Sequence, residues 1–218
     1  MKRVLVINPN TTGAVTQIVL AACRRAQPAV QWEGATARFG AAYIADEASY
    51  AQAAPAALDA YEAFYAGHEA VLLACFGDPG LLTLRERSRV PVVGLAQSSF
   101  EAAARRGRFA VVTGGHAWAP MLERFAREHR LDQRLVGIHT IDWTGAQIAA
   151  DPDGARAALV AAAQHGIDGG AECILLGGAA LAGLAPSLQP RLSVPVLDNV
   201  LLAAQAVADA LAPQGPVQ

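Results

Sequence analysis

The chain has 218 residues, 53% of them hydrophobic and 17% charged, with a formal net charge of −2. That length suits one large core or two small ones, since domains usually run to about 100–150 residues. The near-neutral balance, without any block of Lys or Arg, leaves no electrostatic footprint for nucleic acid or an anionic membrane surface.

The N-terminal segment has only a short apolar stretch before Asn8-Pro9-Asn10. A signal peptide needs roughly 7–15 apolar residues and a small-residue cleavage site, so a cytoplasmic location is expected. No stretch approaches the roughly 18 uninterrupted apolar residues of a membrane span. Cys23, Cys75 and Cys173 are widely spaced, with no Cys-x-x-Cys pair. Neither a disulfide framework nor a zinc site is indicated, and reduced thiols are the default.

In chain order, a strand is predicted over 3–7, then a helix over 12–26 with Thr11 or Thr12 as its cap, and a weaker strand over 30–37. A helix over 49–65, a strand over 70–74, a short helix over 81–87 and a strand over 90–95 follow. Ser98 is the expected cap of a helix over 98–106. The second half runs strand 108–113, helix 119–129, strand 134–138 and helix 153–166. Asp151 caps that last helix, and Pro152 suits its first position. Strands over 173–176 and 194–197 precede a final helix over 200–211. Strands alternating with helices give an α/β fold with mostly parallel sheets, whose ligands bind at the carboxyl ends of the strands.

An internal repeat divides the chain. Arg3–Asn8 overlays Arg108–Thr113, Val71–Phe76 overlays Ile174–Ala179, and Val90-Pro91-Val92 overlays Val194-Pro195-Val196, at offsets of 105, 103 and 104 residues. Three overlays in the same order describe two pseudo-symmetric, Rossmann-like lobes over 1–97 and 98–199, with the terminal helix over 200–212 packing back on the first. If the lobes face each other, the turns at 8–11, 75–78, 113–116 and 177–180 line one cleft, and Cys75 and Gly178 are symmetry mates. A cleft between lobes is a preferred place for a small-molecule ligand.

Cys75 ends an apolar strand before the turn Phe76-Gly77-Asp78-Pro79-Gly80. A thiol beside a helix N-terminus and free backbone N–H groups has a stabilised thiolate, usable as base or nucleophile. Cysteine is also a common small core hydrophobe, and for Cys75 both readings stand. Cys23 and Cys173 read as core. Asn10 in the polar turn after the first strand is placed to bind a substrate oxygen, while Thr113-Gly114-Gly115-His116 is the equivalent turn of the second lobe. Its glycines let backbone approach a ligand. His116 is either an acid/base group or an ordinary surface histidine. The run Gly177–Gly183 lacks the Gly-x-Gly-x-x-Gly register and the acidic residue of a dinucleotide site.

Taken together, these segments resemble the Asp/Glu/hydantoin racemase superfamily, in particular its hydantoin and allantoin racemase branch. The specific matches are Asn8-Pro9-Asn10-Thr11 and Cys75-Phe76-Gly77-Asp78-Pro79-Gly80-Leu81. Looser ones are Ile44–Ala48, Pro91–Gly94, Val111–Thr113, Ile174–Gly177, Leu184–Pro186 and Val194–Asp198. The resemblance implies a two-lobed fold with the active site between the lobes, no cofactor, no metal and a homo-oligomer. It also implies two catalytic cysteines working from opposite faces of the substrate carbon, as inversion requires. Cys75 matches the first. Asn10, Phe76, Gly77, Gln97, Thr113, Gly114, Gly177, Gly178 and Ala179 fall at or near the family's substrate-binding positions.

The chain departs from that pattern where the branch reads Leu-Gly-Cys-Ala-Gly-Met: here the run is Leu176-Gly177-Gly178-Ala179-Ala180-Leu181. Gly178 stands in place of the second cysteine, and Gln97 stands where the family usually has Glu. Cys173, five residues earlier on a strand, is roughly 16 Å away and is no substitute. Three functions follow as expectations. One is a racemase or epimerase of a hydantoin or amino-acid derivative, using Cys75 with His116, a water or the substrate itself as partner. Another is a one-thiol decarboxylase or isomerase similar to arylmalonate decarboxylase, and the last is a non-catalytic small-molecule binder.

Overall fold

The computed structural model describes residues 1–143, 147–148 and 151–212. Each half folds as a four-stranded parallel sheet, and the two sheets share one topology. The first has the order β2-β1-β3-β4 and the second β6-β5-β7-β8. Their strands are β1 (Lys2–Asn8), β2 (Val30–Thr36), β3 (Ala70–Leu73) and β4 (Val92–Gly94), then β5 (Phe109–Gly114), β6 (Leu135–Ile141), β7 (Cys173–Leu176) and β8 (Val196–Asp198). The central strands β3 and β7 are four-residue apolar runs buried at every position, as strands covered on both faces must be. The pairs found by the repeat, β1 with β5, β3 with β7 and β4 with β8, hold equivalent places in the two sheets.

The helices are α1 (Gly13–Ala26), α2 (Glu47–Phe64), α3 (Leu81–Arg87), α4 (Leu95–Arg106), α5 (Trp118–Glu128), α6 (Pro152–Asp168), α7 (Ala185–Leu188) and α8 (Asn199–Leu211). Two of them tie the lobes together. Helix α4 follows β4 of the first sheet yet packs on β5 and β7 of the second, while α8 follows β8 and packs on α1, β3 and β4 of the first. The two also pack on each other. Residue 97 therefore falls inside a helix, and the chain passes from lobe to lobe along α4. A core shared by both lobes results, holding Val4, Val6 and Cys23 with Phe100, Leu122, Cys173, Leu175 and Val207.

The caps show where local reading sufficed. Asp151 accepts the Gly154 N–H at 2.9 Å, as expected of that residue before Pro152. Thr12 occupies the cap position of α1 without a side-chain capping bond, because its hydroxyl donates instead to the Ala42 carbonyl at 2.7 Å. Ser98 is not the cap of α4. That helix starts at Leu95, and Ser98 donates to the Gly94 carbonyl at 2.6 Å. Its cap is supplied from the β3–α3 turn: the Asp78 carboxylate accepts the Ala96 N–H at 2.9 Å and the Gln97 N–H at 2.7 Å. A residue eighteen positions upstream leaves no local signal for a capping rule to detect.

Candidate active site

The turns after β1, β3, β5 and β7 stand at the carboxyl ends of their strands and enclose a cavity of about 180 Å³. An apolar cavity of about 150 Å³ takes up benzene, so the space suits one small ring with a substituent. Its lining includes Asn10, Cys75, Phe76, Thr113, Gly114, Gly177, Gly178 and Ala179. Gly77, Gln97 and His116, also singled out in the sequence, are not among the lining residues. Gly77 packs under Trp118 and Tyr50, and its carbonyl accepts the Tyr50 hydroxyl at 2.6 Å. Gln97 lies along α4 with its amide donating to Glu101 at 2.9 Å. His116 is exposed, with Nδ1 2.7 Å from the Thr140 hydroxyl.

Ile44, from one of the looser matching segments, adds a wall, and walls that the sequence did not announce come from Tyr43 after β2, Trp118 at the start of α5, and Trp143 after β6. Nothing in the spacing of these last three marks them, because each reaches the cleft only through the tertiary fold. Trp118 also bridges the lobes: its indole N–H donates to the Ile44 carbonyl at 3.2 Å, and its ring lies edge-on to Tyr50 at 6.3 Å. Beside it, Arg124 of α5 pairs with Glu47 of α2 at 2.5 Å.

Cys75 is 7% exposed and lines the cavity, whereas Cys23 and Cys173 are 0% and 1% exposed and are not among its lining residues. The expected stabilised thiolate is not what its surroundings produce. Burial pushes the Cys75 thiol well above the usual range, and the neighbouring Asp78 carboxylate pushes it further. Helix α3 has only seven residues, and it is outweighed by desolvation. Cys75 therefore rests as a thiol. Asp78 is itself pushed up to about 7 by burial, against the pull of the backbone N–H groups it accepts.

Asn10 is fixed by a tight network. Its Oδ1 accepts from Asn8 Nδ2 and from the Thr12 N–H, both at 2.9 Å, and its own N–H donates to Asn8 Oδ1 at 3.2 Å. With Oδ1 engaged, the amide N–H₂ is the group Asn10 offers to a ligand oxygen. Opposite Cys75, Gly178 has φ of 117°, which favours glycine. A Cβ there would meet Thr113 Oγ1 at 3.6 Å and Leu181 carbons at 3.8 Å, so the cleft has room on that side. Gly177 has none, since a Cβ would run into the Phe76 ring. Among the described lining residues, Cys75 and Tyr43 are the only ionisable side chains, and no Lys or Arg is present.

The Asp/Glu/hydantoin racemase family matches residues 4–207. A hydantoin racemase of Pseudomonas sp. (strain NS671) is 34% identical over 203 residues, covering 91% of this chain and 82% of that protein. The hydantoin racemase of Paenarthrobacter aurescens is 33% identical, covering 98% of this chain and 92% of its own. Among solved structures, the allantoin racemase from Pseudomonas fluorescens superposes with a TM-score of 0.91 at 30% identity, covering 95% of this chain and 89% of that one. With the repeat, the paired sheets and the thiol at the end of β3 already in place, these matches show that the chain belongs to the Asp/Glu/hydantoin racemase family, on its hydantoin and allantoin racemase side.

Proposed function

We propose that the protein is a racemase or epimerase of 5-substituted hydantoins or related cyclic ureides, with Cys75 as the base on one face. The observation that carries this reading is the placement of Cys75, the one thiol among the described lining residues, at the carboxyl end of β3 beside Asn10 and Phe76. A hydantoin is a neutral ring whose C5–H bond is acidified by the adjacent carbonyl. Removing that proton moves the electron pair onto the carbonyl oxygen. Asn10 Nδ2 and backbone N–H groups of the strand-end turns are the donors available to hold the resulting oxyanion. The thiolate, a minority form at rest, takes the proton, and general-base catalysis of this kind contributes typically 10²–10⁴-fold.

The chemistry of the lining favours an uncharged ligand. Burying a carboxylate without a cationic or fully hydrogen-bonded partner is costly, and no Lys or Arg is among the described lining residues. A second reading, a one-thiol decarboxylase of disubstituted malonates, draws support from Gly178, which leaves a single thiol in the cleft. Incubation with single enantiomers of 5-substituted hydantoins and of allantoin, followed by polarimetry, separates the two. Loss of rotation above the buffer rate supports the racemase. Carbon dioxide release from a disubstituted malonate, with every ureide left untouched, overturns it in favour of the decarboxylase.

A further inference from the structure

Inversion needs a proton donor on the face opposite the base, and the strand overlay makes Gly178, which also lines the cavity, the mate of Cys75 in the other lobe. Gly178 has no side chain to offer. Tyr43 is 44% exposed on the loop after β2, and His116 is turned to Thr140 outside the lining. Thr113 remains. It lies at the carboxyl end of β5, is 4% exposed, and lines the cavity. Its Oγ1 is the heavy atom nearest to where a Cβ at position 178 would be, at 3.6 Å. Among the described residues, that hydroxyl has no protein hydrogen-bond partner. Thr113 lines the cavity, so a water or ligand there is the partner its hydroxyl can take.

Resting on the racemase reading above, we infer that the Thr113 hydroxyl holds a water molecule in the space beside Gly178, and that this water protonates the substrate carbon on the face opposite Cys75. The C–H bond breaks toward Cys75 Sγ, whose thiolate becomes a thiol, and the electron pair moves onto the carbonyl. On the other face an O–H bond of the held water breaks, its proton forms the new C–H bond, and the pair returns from the carbonyl. The hydroxide left behind takes a proton from solvent while Cys75 returns one, so charge and protons balance. Water is a strong enough acid for this step, because protonation at carbon runs downhill from an enolate. The hydroxyl orients the water but gives up no proton of its own, so Thr113 acts as a positioning residue.

The test measures inversion by polarimetry and deuterium uptake by mass spectrometry in the same sample, with one enantiomer of a 5-alkylhydantoin in D₂O. Exchange can proceed through Cys75 alone, by washout of the thiol proton, whereas inversion needs the opposite face. Thr113→Val, nearly equal in shape, is expected to lower the ratio of inversion to exchange by about ten-fold or more. Thr113→Ser keeps the hydroxyl and is expected to restore the ratio to near that of the unaltered enzyme. If Thr113→Val slows both processes together and leaves the ratio unchanged, Thr113 only holds substrate and the inference is wrong. An unaltered enzyme that neither exchanges nor inverts any hydantoin overturns the racemase reading itself, and this inference with it.

Discussion

The Asp78 carboxylate occupies the space that any side chain at Gly94 would need. In the second lobe the equivalent position is Asp198, whose own carboxylate caps α8 by accepting the Val200 N–H at 3.0 Å and the Leu201 N–H at 3.2 Å. Both lobes thus place a carboxylate at the N-terminus of the helix that crosses to the other sheet. The second lobe supplies it in place, and the first borrows it from the turn that carries Cys75. This borrowing ties the turn that carries Cys75 to α4.

Gly94→Ala tests the arrangement. Residue 94 has φ of −87°, which any residue adopts, so the strain of the substitution falls on the Asp78 carboxylate and the tip of the Leu81 side chain. Displacing that group loses the two backbone hydrogen bonds it accepts, and the cost expected from urea unfolding is about 1–3 kcal/mol. Gly13→Ala, where a Cβ meets nothing within 4 Å, is the control and is expected to be neutral or slightly stabilising. Equal stabilities of the two variants would contradict the account.

Asp78 also gives a signed dependence on pH. Its carboxyl is raised from 3.8 to about 7, so the folded state holds this proton more tightly than the unfolded chain. The stability contribution is full below pH 3.8 and is lost as pH rises through about 7. Asp78→Asn cannot titrate. The stability of the unaltered protein minus that of Asp78→Asn should therefore shrink from pH 4 to pH 7 in urea unfolding. A difference that grows over that range would mean the carboxylate is the favoured form.

Cys75 titrates above the ordinary thiol value of 9.0. After subtraction of the buffer rate, enzymatic kcat/KM should climb with pH through neutrality without reaching a plateau below about pH 9. Iodoacetamide labelling of the native protein should be slow at neutral pH, rise over the same range, and disappear in Cys75→Ala, since the other two thiols are buried and line no part of the cavity. A rate plateau near pH 6–7 would show that the thiol is acidified.

Trp118→Phe removes the indole N–H that reaches the Ile44 carbonyl but keeps an aromatic wall beside Gly77. One neutral hydrogen bond is worth about 1 kcal/mol, so KM for a hydantoin should rise by roughly five-fold with a smaller change in kcat. An unchanged KM would mean that the link between the lobes does not shape the cleft.

The strands, the repeat and the place of Cys75 were legible because buried parallel strands write continuous apolar runs into the sequence. Val71–Leu73 and Ile174–Leu176 are such runs, and their equivalence followed from spacing. Long-range features left no such trace. Ser98 looked like a helix cap because the true cap, Asp78, lies in another element. Gln97 looked like a cleft residue, but α4 begins earlier than expected, and the side chain runs along the helix to Glu101. The cleft-forming Trp118 and Trp143 had no motif around them. The thiolate expected at Cys75 was an argument from local dipoles, and burial, a property of the whole fold, reverses its sign.

The most direct measurement follows the optical rotation of one enantiomer of a 5-alkylhydantoin with the unaltered enzyme, with Cys75→Ser, and with buffer alone. The account predicts loss of rotation well above the buffer rate for the unaltered enzyme and a rate near that of buffer for Cys75→Ser, with unfolding curves that agree. Cys75→Ser that racemises as fast as the unaltered enzyme would contradict the central role given to this thiol.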